Sequence, residues 1–146
     1  MKKIKSLILL FAIVLLSGCS SLKIDINEFE QIMDSKFEHM LQISENELVD
    51  VYGIDLDQFK QYLFKVSYEE PTNIYVLVLP NGSKKEAKKE INKFFDILET
   101  KVSDNDKKRI KNKYVKSMDD YLIYLVSDNN KELYKKIEAE LTKEDK

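Results

Sequence analysis

The sequence has very few of the residues from which covalent and metal-dependent active sites are built. Its 146 residues include one cysteine, one histidine, three glycines, two prolines and no tryptophan. A single cysteine excludes an internal disulfide and a cysteine-rich zinc site. His39, alone inside a helical pattern, is more typical of a surface or packing residue than of a catalytic base. No nucleophile elbow, zinc-protease motif or glycine-rich phosphate loop occurs. The sequence therefore predicts no cofactor and no metal, and leaves open only an active site made of carboxylates and tyrosines.

The first eighteen residues have the three parts of an export signal. Lys2, Lys3 and Lys5 form a positively charged start, and residues 7–16 are an uninterrupted apolar run. A helical run of this length spans about 15 Å, roughly half the hydrocarbon thickness of a bilayer. It is therefore too short for a permanent membrane-spanning helix, and residues 1–18 are predicted to be a signal peptide that is removed.

The apolar run ends in Leu16-Ser17-Gly18-Cys19, which resembles the lipobox of bacterial lipoproteins. The resemblance implies that the Cys19 thiol receives a diacylglycerol and that the signal peptidase recognises Leu16, Ser17 and Gly18 and cleaves before Cys19. Two acyl chains on one residue give stable anchoring, whereas a single chain binds a membrane only marginally. The alternative is a buried free cysteine that lies near a cleavage site.

The segment after the signal peptide is long enough for one domain. Removal of 18 of the 146 residues leaves 128, and we predict a lipidated cysteine with a short tether at residues 19–25 and one domain at residues 26–146. The removed lysines leave 21 basic against 26 acidic residues, a formal net charge of −5 that disfavours nucleic-acid binding. The tether reaches at most about 20 Å, so we expect the domain to work close to the bilayer. Arg109 is the only arginine beside many lysines, a usage that indicates an AT-rich Gram-positive genome.

Apolar periodicity and capping residues predict an α+β fold. The predicted elements are a helix at 27–42, a short helix at 45–52, strands at 61–69 and 74–79, a helix capped by Ser83 that reaches 102, a charged connection at 103–113, strands at 113–118 and 121–127, and a helix capped by Asn129 that reaches 141. Their order predicts two layers, with helices on one face of a four-stranded, mostly antiparallel sheet. The second and fourth strands are the most apolar and are expected at its centre. The continuous apolar run at 74–79 is also typical of a strand covered on both faces.

Two stretches resemble a known protein family. Asp50-Val51-Tyr52-Gly53-Ile54-Asp55 and Tyr121-Leu122-Ile123-Tyr124-Leu125-Val126-Ser127-Asp128 are similar to a family of small Gram-positive lipoproteins that is defined by a conserved domain of unknown function. The resemblance covers the mature chain in element order, and the Tyr-Gly-Ile-Asp stretch is its most specific part. It implies a fold and a location, and it implies no catalytic residues.

A basic cluster is the clearest candidate for a contact surface. Near a membrane such residues contribute about 1 kcal/mol each to binding anionic headgroups, and anionic wall polymers are an equal alternative. The simpler interpretation is a solvated loop that Asp104 and Asp106 partly neutralise. The cluster consists of Lys107, Lys108, Arg109, Lys111 and Lys113.

The eight tyrosines supply further candidates. Tyr52, beside Gly53, could point into a groove, but a helix end capped by Gly53 and followed by a turn at Asp55 is the simpler interpretation. Tyr75 and Tyr124 lie in the predicted central strands, where packing in the core is favoured over lining a groove.

These observations predict a lipid-anchored binding or interaction module on the outer face of the cell membrane. Its partner would be a protein, a peptide or a wall polymer near the bilayer. One alternative is a carboxylate-dependent hydrolase or wall-modifying enzyme. Another is an accessory subunit of a membrane complex, for which an exposed apolar patch is expected.

Overall fold

The computed structural model describes residues 24–69 and 71–143. There the chain is α+β, with a five-stranded antiparallel sheet and five α-helices. The predicted signal peptide, including Leu16, Ser17 and Gly18, lies outside the described residues, as does Cys19. The elements are α1 (Ile26–Asp34), β1 (Leu41–Gln42), α2 (Glu45–Asp50), a 3-10 turn (Leu56–Gln58), β2 (Phe59–Val66), β3 (Ile74–Pro80), α3 (Lys84–Glu99), α4 (Asp104–Lys111), β4 (Tyr114–Met118), β5 (Tyr121–Val126) and α5 (Asn130–Leu141).

The sheet is ordered β1-β2-β3-β5-β4, and every neighbouring pair is antiparallel. The two most apolar strands, β3 and β5, lie side by side at the centre, as predicted. Their register pairs Tyr75 with Leu125 and Val76 with Tyr124. Both strands are buried almost throughout because they lie inside the sheet and helices cover both of its faces.

Helices cover both faces of the sheet, so the prediction of two layers with helices on one face is wrong. Ile74, Val76 and Val78 pack in one cluster with residues of α2, α3 and α4. Tyr75 and Leu77, which point to the other face, pack in a second cluster with residues of α1 and α5. The continuous apolar run of β3 indicated this arrangement, since a strand exposed on one face would alternate with polar residues.

The first helix is shorter than predicted, and the remainder of its segment supplies the fifth strand. α1 ends at Asp34 instead of residue 42, and Leu41 and Gln42 pair with β2 as β1. His39 lies between α1 and β1. Its backbone is in the left-handed region, at φ 56°, and its side chain is exposed, so it is not a helical residue. Phe37 still packs against the α1 side of the core from the intervening turn. The apolar spacing therefore predicted correctly which residues are buried, but it predicted a helix that is too long.

The segment predicted as a charged connection contains a helix, α4. The Ser103 hydroxyl accepts a hydrogen bond from Asp106 N at 3.3 Å and begins the helix. Acidic residues in the first turn and basic residues in the last match the helix dipole. Ile110 is fully buried and docks the helix on the core. Because α4 has so little apolar surface, its periodicity gave no signal.

Most predicted helix caps are confirmed. The side chains of Asp25, Ser44 and Ser83 each accept a backbone hydrogen bond in the following turn, at 2.8 Å for Asp25 and 3.2 Å for the two serines. Asn129 makes no such bond to the backbone; its amide donates instead to Glu132 Oε2 at 2.5 Å.

Candidate functional site

The start of the described domain is fixed to one end of the sheet. The Tyr121 hydroxyl, at the beginning of β5, lies 3.1 Å from the Ile24 carbonyl oxygen and 2.6 Å from Gln61 Oε1, both of which accept. Ile24 is itself buried. Any anchor at Cys19 therefore joins the domain at this end, which we call the anchor end. Among residues 24–69 and 71–143, no helix combines the length and apolarity needed to span a bilayer.

The basic helix α4 lies at the opposite end of the same strand. β5 runs for six residues from Tyr121 to Val126, a length of about 20 Å. Beyond it, Asp128 Oδ1 accepts a hydrogen bond from Arg109 of α4 at 3.0 Å. We call this the distal end. The length of β5 thus separates α4 from Ile24, where the described domain begins.

Arg109 is turned inward and ties α4 to the turn before β3. Its guanidinium donates to the Thr72 carbonyl at 2.5 Å, Asp106 at 3.0 Å and Asn73 at 3.1 Å, in addition to Asp128. Asp106 is buried and also accepts from the Thr72 amide and hydroxyl. Burial alone would raise the pKa of Asp106, but the hydrogen bonds from Thr72 and Arg109 outweigh it and hold that pKa below its ordinary value. The Arg109 guanidinium therefore stabilises the fold and does not contribute to the outer basic surface.

Three lysines of the cluster lie on one side of α4, and the fourth lies past its end. Lys107, Lys108 and Lys111 follow the i, i+1, i+4 pattern that places them on one side of the helix, and Lys107 borders the face of the buried Ile110. Lys108 and Lys111 are exposed, and Lys107 makes a 3.5 Å ion pair with Asp104. Lys113 lies past the helix, with its ammonium 5.0 Å from the Phe95 ring centre. Of the five predicted residues, the exposed Lys108 and Lys111 and the half-buried Lys107 form a basic surface, which we call the α4 lysine face.

Two shallow grooves lie elsewhere on the described surface. One, of about 430 Å³, opens at the distal end between Asn73, Phe37 and the start of α5. Its cations are already paired, since Lys36 meets Glu140 at 2.7 Å and Lys136 meets Glu132 at 2.9 Å. The second, of about 550 Å³, borders β1 and is lined by Ile26, Gln42, Ile43, Ser44, Glu45, Gln61 and Tyr62.

The carboxylates that line these grooves are hydrogen-bond acceptors. Glu45 accepts from the Tyr62 hydroxyl at 2.6 Å, and Asp128 accepts from Arg109. The hydrogen bond and positive charge of Lys136 hold the pKa of Glu132 below its ordinary value. A general acid needs the opposite shift, a raised pKa. Glu132 therefore does not have the pKa shift of a general acid.

The Tyr52-Gly53-Ile54-Asp55 stretch forms a helix end and a turn, as the simpler interpretation had it. Tyr52 is buried, and its ring centre lies 4.8 Å from that of Phe94. Gly53 has φ 63°, and Asp55 Oδ1 accepts from Asp57 N at 3.1 Å. Glu90 of α3 accepts from the Asp55 amide at 2.9 Å and anchors the turn.

Tyr75 and Tyr124 also pack in the core, as favoured from the sequence. Both are almost completely buried, and the Tyr124 ring stacks on Phe95 at 5.6 Å. The Tyr75 hydroxyl donates to Asp34 of α1 at 2.6 Å. Neither side chain lines either of the two grooves described above.

Sequence reasoning missed an ion cluster, centred on a buried lysine, that joins α1 to the sheet. Lys65 lies in β2 between Phe64 and Val66, and its side chain is only 7% exposed. Its ammonium pairs with Glu30 at 2.5 Å and Asp34 at 2.6 Å. Burial lowers the pKa of Lys65, but the two carboxylates outweigh this and raise it. The only sequence signal was the i, i+4 spacing of Glu30 and Asp34, which is common on solvated helices.

Comparisons of the chain with known proteins found no match. No protein-family model, no curated protein and no solved structure matches this chain. The resemblance to small Gram-positive lipoproteins therefore stays a prediction that rests on the quoted residues. Within the described part of the chain, no group of histidine, cysteine, aspartate and glutamate side chains is arranged to hold a metal ion.

Proposed function

We propose that this protein is a lipid-anchored, extracytoplasmic binding module that presents a basic surface away from the membrane. The observation that carries the proposal is the placement of Ile24 and α4 at opposite ends of β5. The lipobox sequence at residues 16–19 supports an anchor that precedes Ile24 by only five residues. An extended segment of that length reaches about 17 Å.

The separation favours a polyanion of the cell wall over lipid headgroups as the partner. With the anchor end at the bilayer, the α4 lysine face lies about 20 Å farther out, and salt screens charges over about 8 Å at physiological ionic strength. The three lysines stand out against the net charge of −5 calculated for the mature chain. A flexible chain of phosphates outside the membrane can reach them without the domain lying on its side.

The anchor is tested by Cys19→Ser in the producing bacterium. The natural chain is expected in the membrane fraction, with diacylglycerol on its N-terminal residue by mass spectrometry. The variant is expected to lose the lipid and the cleavage that depends on it. If the natural protein carries no lipid at residue 19, the proposed location is wrong.

The binding surface is tested with a matched pair of variants. One replaces Lys107, Lys108 and Lys111 by glutamine, and the control replaces the exposed Lys85, Lys88 and Lys89 of α3, which changes the net charge equally. At about 1 kcal/mol per lysine, the α4 variant should bind inorganic polyphosphate roughly 100-fold more weakly at low salt, and the control should change little. Equal loss in both variants would show an unspecific charge effect and refute the site. Loss of binding only to phosphatidylglycerol vesicles would assign the face to headgroups instead.

A further inference from the structure

The two edges of the sheet differ in how well they are protected. β1 is only two residues long, and short edge strands are a common protection against pairing with other chains. β4 has five residues in regular register with β5, without a proline or a bulge. Val115, Lys116 and Ser117 are exposed along it. This edge therefore offers a regular template for another strand.

The register shows which peptide groups of β4 are directed outward. Met118 pairs with Tyr121 across the two-residue turn at Asp119 and Asp120, and such a closing pair exchanges hydrogen bonds. Pairing alternates from there, so Lys116 and Tyr114 also bond β5. The N–H and C=O groups of Val115 and Ser117 consequently point away from the sheet.

Charge indicates which kind of chain would fit. Lys111 and Lys113 precede the strand, and Lys116 stands in its middle, with its ammonium 5.7 Å from the Tyr114 ring centre. A second copy of this chain is disfavoured, because the register that pairs Val115 of one copy with Ser117 of the other sets Lys116 opposite Lys116. Like charges directly opposite each other destabilise a strand pair.

We propose that the β4 edge binds an extended acidic segment of a partner protein by strand addition. The outward N–H and C=O groups of Val115 and Ser117 would hydrogen-bond to the backbone of the added strand. Its acidic side chains would be attracted by Lys111, Lys113 and Lys116. This inference goes beyond the proposed function and does not depend on the lipid anchor or on polyanion binding by the α4 lysine face.

The test uses the mature chain in detergent and a fluorescent peptide of alternating glutamate and valine. Ser117→Pro removes an outward N–H that makes no hydrogen bond to β5, and so blocks the edge. Edge strands tolerate proline at such positions. Ser117→Ala keeps the N–H and is the matched control. We expect peptide affinity to fall about tenfold or more in Ser117→Pro, equivalent to one or two lost hydrogen bonds, and to stay nearly unchanged in Ser117→Ala.

A second measurement does not depend on the folding of the proline variant. Saturating peptide should slow amide hydrogen exchange at Val115 and Ser117 of the natural chain, and a peptide with alternate backbone amides N-methylated on its pairing side should not. A lysine–valine peptide should bind much more weakly. The proposal is overturned if exchange at these two amides is unchanged, if the lysine–valine peptide binds equally well, or if the edge is instead closed by a dimer that Ser117→Pro dissociates.

Discussion

The buried carboxylate of Asp106 offers a sharp test of how the distal end is held together. Asp106→Asn keeps the shape of the side chain and removes its charge. Asp104→Asn is a matched control, since it lies on the same helix and changes the net charge equally. The two carboxylates differ in surroundings, because the Asp104 side chain is 94% exposed and that of Asp106 is 4% exposed.

The magnitude follows from the contacts of Asp106. It accepts from the Thr72 hydroxyl at 2.7 Å, from the Thr72 amide at 3.2 Å and from Arg109 at 3.0 Å. Breaking a buried charge pair by removing one partner costs about 3–5 kcal/mol. Arg109 keeps Asp128 and the Thr72 carbonyl as acceptors, so we expect the low end, about 3 kcal/mol. Asp104→Asn should cost much less, because its ion pair and its interaction with the helix dipole are both exposed to solvent.

Urea unfolding of the mature chain, followed by circular dichroism, measures both variants. About 3 kcal/mol corresponds to a melting temperature roughly 10 °C lower for a domain of this size. Equal unfolding midpoints for Asp106→Asn and Asp104→Asn would refute the assignment of Asp106 to a stabilising cluster.

The pH dependence gives an independent check of the same group. The pKa of Asp106 is lowered in the fold, so its contribution is fully present above the unfolded value of about 3.9 and is lost as the pH falls through the lower folded value. The difference in stability between the natural chain and Asp106→Asn should therefore be constant near neutral pH and shrink below about pH 4. A difference that grows in acid would contradict the reasoning.

Two further predictions concern backbone conformation and buried phenols. Gly53→Ala should cost about 1 kcal/mol of stability, because φ is 63°, although nothing lies within 4 Å of an added Cβ. Gly53→Asn should cost less, since asparagine tolerates this conformation better, and the urea unfolding midpoints of the two variants measure the difference. Burial raises the pKa of Tyr124 to about 12, so its neutral form stabilises the fold below the unfolded value of about 10, and this contribution is lost as the pH rises toward 12. Tyr124→Phe should therefore lose less stability in that range, and an identical alkaline profile would exclude Tyr124 as a contributor.

Local signals in the sequence predicted the elements that have strong local causes. The serine and aspartate caps begin helices as expected, and Gly53 ends one with a positive φ. The most apolar strands, β3 and β5, are central, since only a strand flanked on both sides can bury every position. These features depend on a few neighbouring residues.

The features that sequence reasoning missed depend on contacts between distant segments. Residues 41–42 became a strand only because β2 offered a free edge, and α4 is held by Ile110 together with the Asp106–Arg109–Thr72 contacts. Lys65 and Glu90 lay in patterns typical of solvent faces, yet packing buried both. A polar residue in a periodic pattern carries no information about whether a distant partner will cover it.

The sequence by itself determined the apolar centre of the sheet, the helix boundaries that carry caps, and the scarcity of metal-binding and nucleophilic groups, because each follows from residue type and spacing. Only the tertiary structure decided that helices cover both faces and that Arg109 turns inward while three lysines form the α4 lysine face. It alone also set α4 and the entry of the chain at opposite ends of β5. These relations join residues up to about a hundred positions apart, as in the bond between Tyr121 and Ile24, and no local pattern encodes them.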